Sequence, residues 1–133
     1  MQVLKFGGSS VADAANISNV TKIVKENLKR DRTILVASAI GGCTDKLIEI
    51  GKLAAMQDET FKTLIDELEN RHLQIILELF PVDFQKSISI IVREIFHQLR
   101  DVCKGVYYLK ELSNSSLDLI MSFGEILSTK IIS

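Results

Sequence analysis

Lys5, followed by Gly7, Gly8, Ser9 and Ser10, has the residue types and spacing needed to hold an anion. A lysine near the end of a strand can set its ammonium over phosphate oxygens, while paired glycines let backbone N–H groups approach where side chains would block them. A helix starting directly afterwards adds about half a positive charge at its N-terminus. The run matches neither G-x-x-x-x-G-K-[ST] nor G-x-G-x-x-G, and a plain glycine turn beside a surface lysine accounts for the same residues without a ligand. A second glycine loop, "SAIGGCTD" from Ser38 to Asp45, offers hydroxyls and N–H groups suited to a carboxylate or a phosphate, although Thr44 also reads as a helix N-cap. A third stretch, "SFGEILS" from Ser122 to Ser128, sets Gly124 inside a helical pattern at a cost of ~1 kcal/mol relative to alanine, which points to close approach of another backbone or a ligand. Glu125 could hold a substrate amino group; from spacing alone it equally fits the solvent face of an amphipathic helix.

The elements that must position these residues follow from periodicity. Residues 2–6, "QVLKF", form a short β-prone run stopped by glycines, and Ser10 with Asp13 matches a capping box ahead of Ile17, Val20, Val24 and Leu28 at helical spacing. Residues 33–38, "TILVAS", read as a strand buried on both faces of a parallel sheet. A right-handed βαβ unit places both glycine loops on one edge of that sheet, where ligands of open α/β folds bind. Helices are then expected over Thr44 to about Met56, Asp58 to Phe80 before Pro81, and about Asp83 to a stop at Gly105, with a last one opened by "SNSS" at 113–116.

Composition narrows the class. The chain has 133 residues, 47% hydrophobic and 25% charged, with 16 basic and 17 acidic residues giving a net charge of −1. That balance, with no tryptophan and no basic run, argues against nucleic acid as a partner. The nearly apolar stretch 34–40 is far shorter than the roughly 18 residues a membrane span needs, and Lys5 interrupts the place of a signal-peptide core, so no membrane partner and a cytoplasmic location are expected. Cys43 and Cys103 have no metal or redox spacing and read as free thiols; His72 and His97 read as ordinary core-edge or surface histidines, and Met121 as core. Two strands do not make an independent parallel sheet, and apolar periodicity still runs at Ile131-Ile132, so the chain is expected to be the N-terminal piece of a longer domain.

In order and spacing, "KFGGSSVAD" at 5–13, "SAIGGCTDKL" at 38–47 and "SFGEILST" at 122–129 resemble the three N-terminal motifs of aspartokinases, within the amino-acid kinase fold. The resemblance implies an α/β chain, the N-terminal part of a three-layer αβα fold with a βαβ start and a mainly helical continuation. It implies transfer of the γ-phosphoryl group of ATP, bound with Mg2+, to the side-chain carboxylate of L-aspartate, the first step towards lysine, threonine and methionine, in a homo-oligomeric enzyme. By matching positions, Lys5 would be the catalytic lysine, Gly7, Gly8 and Ser9 would line the phosphate site with Ser38 nearby, and Thr44 and Glu125 would bind aspartate, Glu125 through the ammonium; no residue is implied as a direct metal ligand. The start "MQVLKFGGSSVA" is also similar to bifunctional aspartokinase–homoserine dehydrogenases. Serine stands at position 9 where threonine is also common, and Cys43 precedes Thr44. The family's "GRGGSD"-like segment, nucleotide-base pocket and ACT domains would lie beyond Ser133, so the 133 residues alone are expected to be inactive. The competing expectation, from another class, is a self-contained helical interaction module whose glycine loops are only turns.

Overall fold

A computed structural model describes residues 1–132. Gln2–Phe6 forms strand β1 and Thr33–Ala37 strand β2, paired in parallel from Gln2 opposite Thr33 to Phe6 opposite Ala37. A 3₁₀ turn, Gly8–Val11, and helix α1, Ala14–Leu28, connect them, so the expected βαβ start is present. The Ser38 N–H donates to the Phe6 carbonyl at 3.0 Å, carrying the ladder one step past β2 and bringing the two following loops out side by side. Four helices complete the α/β fold: α2, Cys43–Ala55; α3, Thr60–Leu79; α4, Val82–Leu109; and α5, Asn114–Ile132.

Helix α2 lies at the centre, packed on α3, α4 and α5. Its buried Leu47, Ile50 and Ala54 meet a core that includes Phe61 and Ile65 of α3, Phe96 and Leu99 of α4, and Ile120, Leu127 and Ile131 of α5. Helix α1 adds Ile17 and Val20. Arg100 of α4 ties two helices together on the surface, donating to Asp66 at 2.6 Å and Glu69 at 2.5 Å, both on α3. The serine cluster does open α5, the Ser116 N–H donating to Ser113 Oγ at 3.1 Å.

Four expectations need correcting. Asp13, not Ser10, caps α1: its carboxylate accepts from the Asn16 N–H at 2.9 Å, because residues 8–11 are already wound into the 3₁₀ turn. Gly42, not Thr44, is the N-cap of α2; its φ of 80° lies in the left-handed region that glycine enters without strain, and Thr44 is already inside the first turn. Gly105 does not stop α4, which runs on to Leu109 and ends at Lys110 with φ 58°, since buried Val106 keeps the apolar stripe going. Strand β2 is not buried on both faces: Ile34 and Val36 are 45% and 43% exposed on the side they share with Val3 and Lys5. The other face, with Phe6 and Leu35, packs on the core.

The two helical glycines make opposite predictions for one substitution. A Cβ on Gly105 would meet nothing within 4 Å, whereas one on Gly124 would lie 2.9 Å from the Ala39 Cβ and 3.1 Å from Leu47 Cδ1. Gly105→Ala should therefore raise the unfolding free energy by about 0.5–1 kcal/mol through helix propensity. Gly124→Ala should lower it by about 1–3 kcal/mol through overpacking, a loss that Ala39→Gly partly restores. Urea melts of the single and double variants check both signs.

His72 makes a second prediction. It is fully buried on α3; its Nδ1–H donates to the Leu68 carbonyl at 2.8 Å, its Nε2 has no partner, and the ring meets Phe96 edge-on at 5.3 Å. Burial, aided by the nearby Arg71 charge and opposed by the Leu68 bond, holds its pKa below the ordinary 6.5. The unfolded chain then binds a proton that the folded chain does not, so the contribution is present above 6.5 and is lost as pH falls towards the lowered folded value. Denaturant midpoints measured from pH 7.5 downwards should drop in this window, and His72→Leu should flatten that drop.

Candidate functional site

The parallel register sends both strand ends to the same edge, and the two glycine loops then touch each other. A Cβ on Gly41 would sit 3.1 Å from both the Gly8 carbonyl oxygen and the Ala12 Cβ, so the loops approach backbone to backbone. The first is closed by the Ser10 N–H donating to the Gly7 carbonyl at 3.0 Å, the second by the Cys43 N–H donating to Ile40 at 2.9 Å. Ala39 and Ile40 are buried, anchoring the second loop in the core while Gly41 and Gly42 stay at its outer turn. Helix α5 then crosses this loop at Gly124, against Ala39, Leu47 and the Cys43 sulfur, and that contact sets the next residue, Glu125, beside the first turn of α2.

These three segments enclose a cavity of about 250 Å³ lined by Gly8, Ser38–Gly42, Thr44, Asp45 and Glu125. A second hollow of about 210 Å³ shares Thr44 and Glu125 and continues along α5 past Met121, Ser122 and Asp118. Of the residues expected from sequence, the structure brings Gly8, Ser38, Thr44 and Glu125 to one cavity. Gly124 makes the close approach expected of it, to protein atoms. Lys5, Gly7 and Ser9 lie outside the lining. Lys5 stands exposed on β1 opposite Val36, on the face of the sheet away from the core; Ser9 is exposed on the 3₁₀ turn; Gly7 has extended backbone and open space where a Cβ would be. Met121 is half-buried on the second hollow rather than in the core, and His97 is exposed beside Asp101 at 3.7 Å.

Sequence reasoning missed three charged residues. Asp118 lies seven residues before Glu125, two helical turns along the same face, and that spacing could have found it. Asp45 sat inside the quoted second motif. Arg71 of α3 carried no signal: its Nη2 donates to the Ala12 carbonyl at 3.0 Å across 59 positions of sequence, and its Nη1 lies 3.8 Å from where a Gly42 Cβ would be.

The cavity lining is chemically mixed. Loop backbone, the Ser38 hydroxyl and the start of α2, whose dipole favours an anion, share it with the carboxylates of Asp45, in the first turn of α2, and Glu125 of α5, which favour a cation; Asp118 adds a further carboxylate to the second hollow. A small ligand carrying both charges fits this mixture. Cys43 takes no part as a nucleophile: it is fully buried, and burial pushes its thiol up to about 11 against the opposing pull of Arg71; Cys103 is buried likewise and pushed up to about 12. Among the described residues no three His, Cys, Asp or Glu side chains converge as a metal site, and no helix is long and apolar enough to cross a membrane.

Comparison with known proteins gives the arrangement its context. The chain is 30% identical over 131 residues to the bifunctional aspartokinase/homoserine dehydrogenase of Buchnera aphidicola subsp. Acyrthosiphon pisum (strain APS), covering 96% of this chain and 16% of that protein. It is 32% identical over 134 residues to the chloroplastic aspartokinase 2 of Arabidopsis thaliana, covering 98% of this chain and 23% of that one. The crystal structure of E. coli aspartokinase III with lysine and aspartate (T-state) superposes with a TM-score of 0.83 at 22% identity, over 99% of this chain and 28% of that one. The R-state structure of the same enzyme with aspartate and ADP gives 0.82. The chain thus shares the fold of that part of aspartokinase III and spans less than a quarter of the length of these two curated relatives. The profile of the amino acid kinase family matches residues 1–133, end to end, and the chain belongs to that family.

Proposed function

We propose that this chain forms the acceptor side and part of the phosphate side of an aspartate kinase, which transfers the γ-phosphoryl group of ATP to the side-chain carboxylate of L-aspartate. The observation that carries the reading is the meeting of Gly8, Ser38, Thr44 and Glu125, from three distant segments, in one cavity whose lining combines loop backbone and a helix start with carboxylates. Relatives named aspartokinase and structures holding aspartate and ADP support the choice of substrates.

Phosphoryl transfer leaves a protein little covalent work: it must hold donor and acceptor in line and stabilise charge. Backbone N–H groups around Gly8, Gly41 and Gly42, with the Ser38 hydroxyl, would hold phosphate oxygens. Thr44 would orient the acceptor, and Glu125 would take its ammonium group in a charge-assisted hydrogen bond. Lys5, on a flexible four-carbon stem at the end of β1, would bring its ammonium to the transferring phosphoryl group from outside the present lining. Mg2+ would enter as a companion of ATP: Asp45 is the carboxylate on the α2 wall, and with no cluster of three ligating side chains among the described residues the ion would be held chiefly by the nucleotide's own oxygens and would neutralise phosphate charge.

The full-length protein should release ADP from MgATP only when L-aspartate is added, measured by coupled assay with trapping of the acyl phosphate as its hydroxamate; no aspartate-dependent release would overturn the reading. Lys5→Ala should cut kcat by about 100-fold or more, as loss of a charge-stabilising donor does. Glu125→Gln should raise KM for aspartate by about tenfold or more while leaving KM for ATP near wild type. An unchanged aspartate KM in this variant would remove Glu125 from the acceptor site.

A further inference from the structure

We propose that Arg71 is a positioning residue of this site, a brace from α3 that fixes the separation of the two glycine loops and so sets the spacing of the N–H groups that face a bound phosphate. The inference rests on reading the cavity as phosphate-binding, but the brace itself stands on geometry alone. The Ala12 carbonyl ends the 3₁₀ turn, and the amide that would reach it from within α1, Asn16 N–H, is committed to the Asp13 side chain at 2.9 Å. The guanidinium supplies a donor in its place, Nη2 to Ala12 O at 3.0 Å. The same planar group lies alongside the second loop, with Nη1 at 3.8 Å from where a Gly42 Cβ would be. One side chain therefore holds the end of the first loop and stands next to the left-handed turn of the second.

Arginine suits this task because its rigid fork presents several donors at once, where a lysine ammonium is a single mobile point. None of the ion pairs among the described residues involves Arg71. Arg71 does not line the 250 Å³ cavity; it borders a separate hollow of about 180 Å³ between α2 and α3, with Lys46, Leu64, Glu67 and Leu68. It therefore acts through the Ala12 carbonyl, beside the Gly42 turn, rather than on a ligand. Its positive charge behind both loops also adds to the field that favours an anion in front of them.

Amide hydrogen exchange and ADP calorimetry on the full-length wild type, Arg71→Met and Arg71→Lys separate this role from plain stability. In Arg71→Met, exchange at residues 8–12 and 40–44 should quicken about tenfold while α4 and α5 keep their protection. The same variant should raise the Kd for MgADP about tenfold and shift KM for the acceptor less than threefold, with Arg71→Lys between it and wild type on both scales. Unchanged exchange in the two loops, or an equal rise across all helices, would overturn the brace. Loop exchange that quickens with an unaltered ADP Kd would overturn its link to the phosphate. A wild type that binds no ADP would instead sink the phosphate reading, with the exchange measurement still deciding the brace.

Discussion

The absence of a side chain at Gly124 is the constraint on which the site depends. With 2.9 Å between a hypothetical Cβ there and the Ala39 Cβ, helix α5 can cross the second loop at this distance only if the position is glycine. The crossing aligns three things at once: it packs Phe123 and Leu127 into the core, closes over the buried Cys43, and sets Glu125 at the mouth of the cavity. Close packing at the interior face and a carboxylate at the rim are thus consequences of the same missing methyl group.

Charge is arranged around that crossing in layers. Arg71 lies behind the loops, backbone N–H groups and the start of α2 face the cavity, and Asp45, Glu125 and Asp118 follow one another away from the loops along α2 and α5. Arg71 stands on α3 and the carboxylates on α2 and α5, and none of the three carboxylates is consumed in an ion pair among the described residues. Groups left unpaired in this way keep their full capacity for a ligand.

Much of this was legible in the sequence, and the parts that were not have physical reasons. Strand β1 was read to its exact ends because glycines stop a five-residue β-prone run, and α3 to within two residues because Pro81 cannot continue it. The glycine at 124 announced close packing by its cost. Capping failed where two devices competed: serine and aspartate both cap well, and only the 3₁₀ turn decides for Asp13; a left-handed glycine displaces a threonine cap at α2. Gly105 misled because a lone helical glycine is only a weak stop when Val106 beyond it is buried. Burial of β2 was overestimated because an apolar run states what a strand tolerates, not what covers it. Arg71 was invisible because a bond spanning 59 positions leaves no periodic trace.

Helix α2 has a double allegiance: its body carries Leu47, Ile50 and Ala54 at the centre of the helical core, and its first turn carries Thr44 and Asp45 on the cavity wall. Whatever occupies that cavity is bound by the folded chain and not by the unfolded one, so by mass action its concentration enters the folding equilibrium of α2 and, through it, of the three helices packed around it. On the proposed reading, the supply of acceptor then becomes a determinant of how long the polypeptide stays folded.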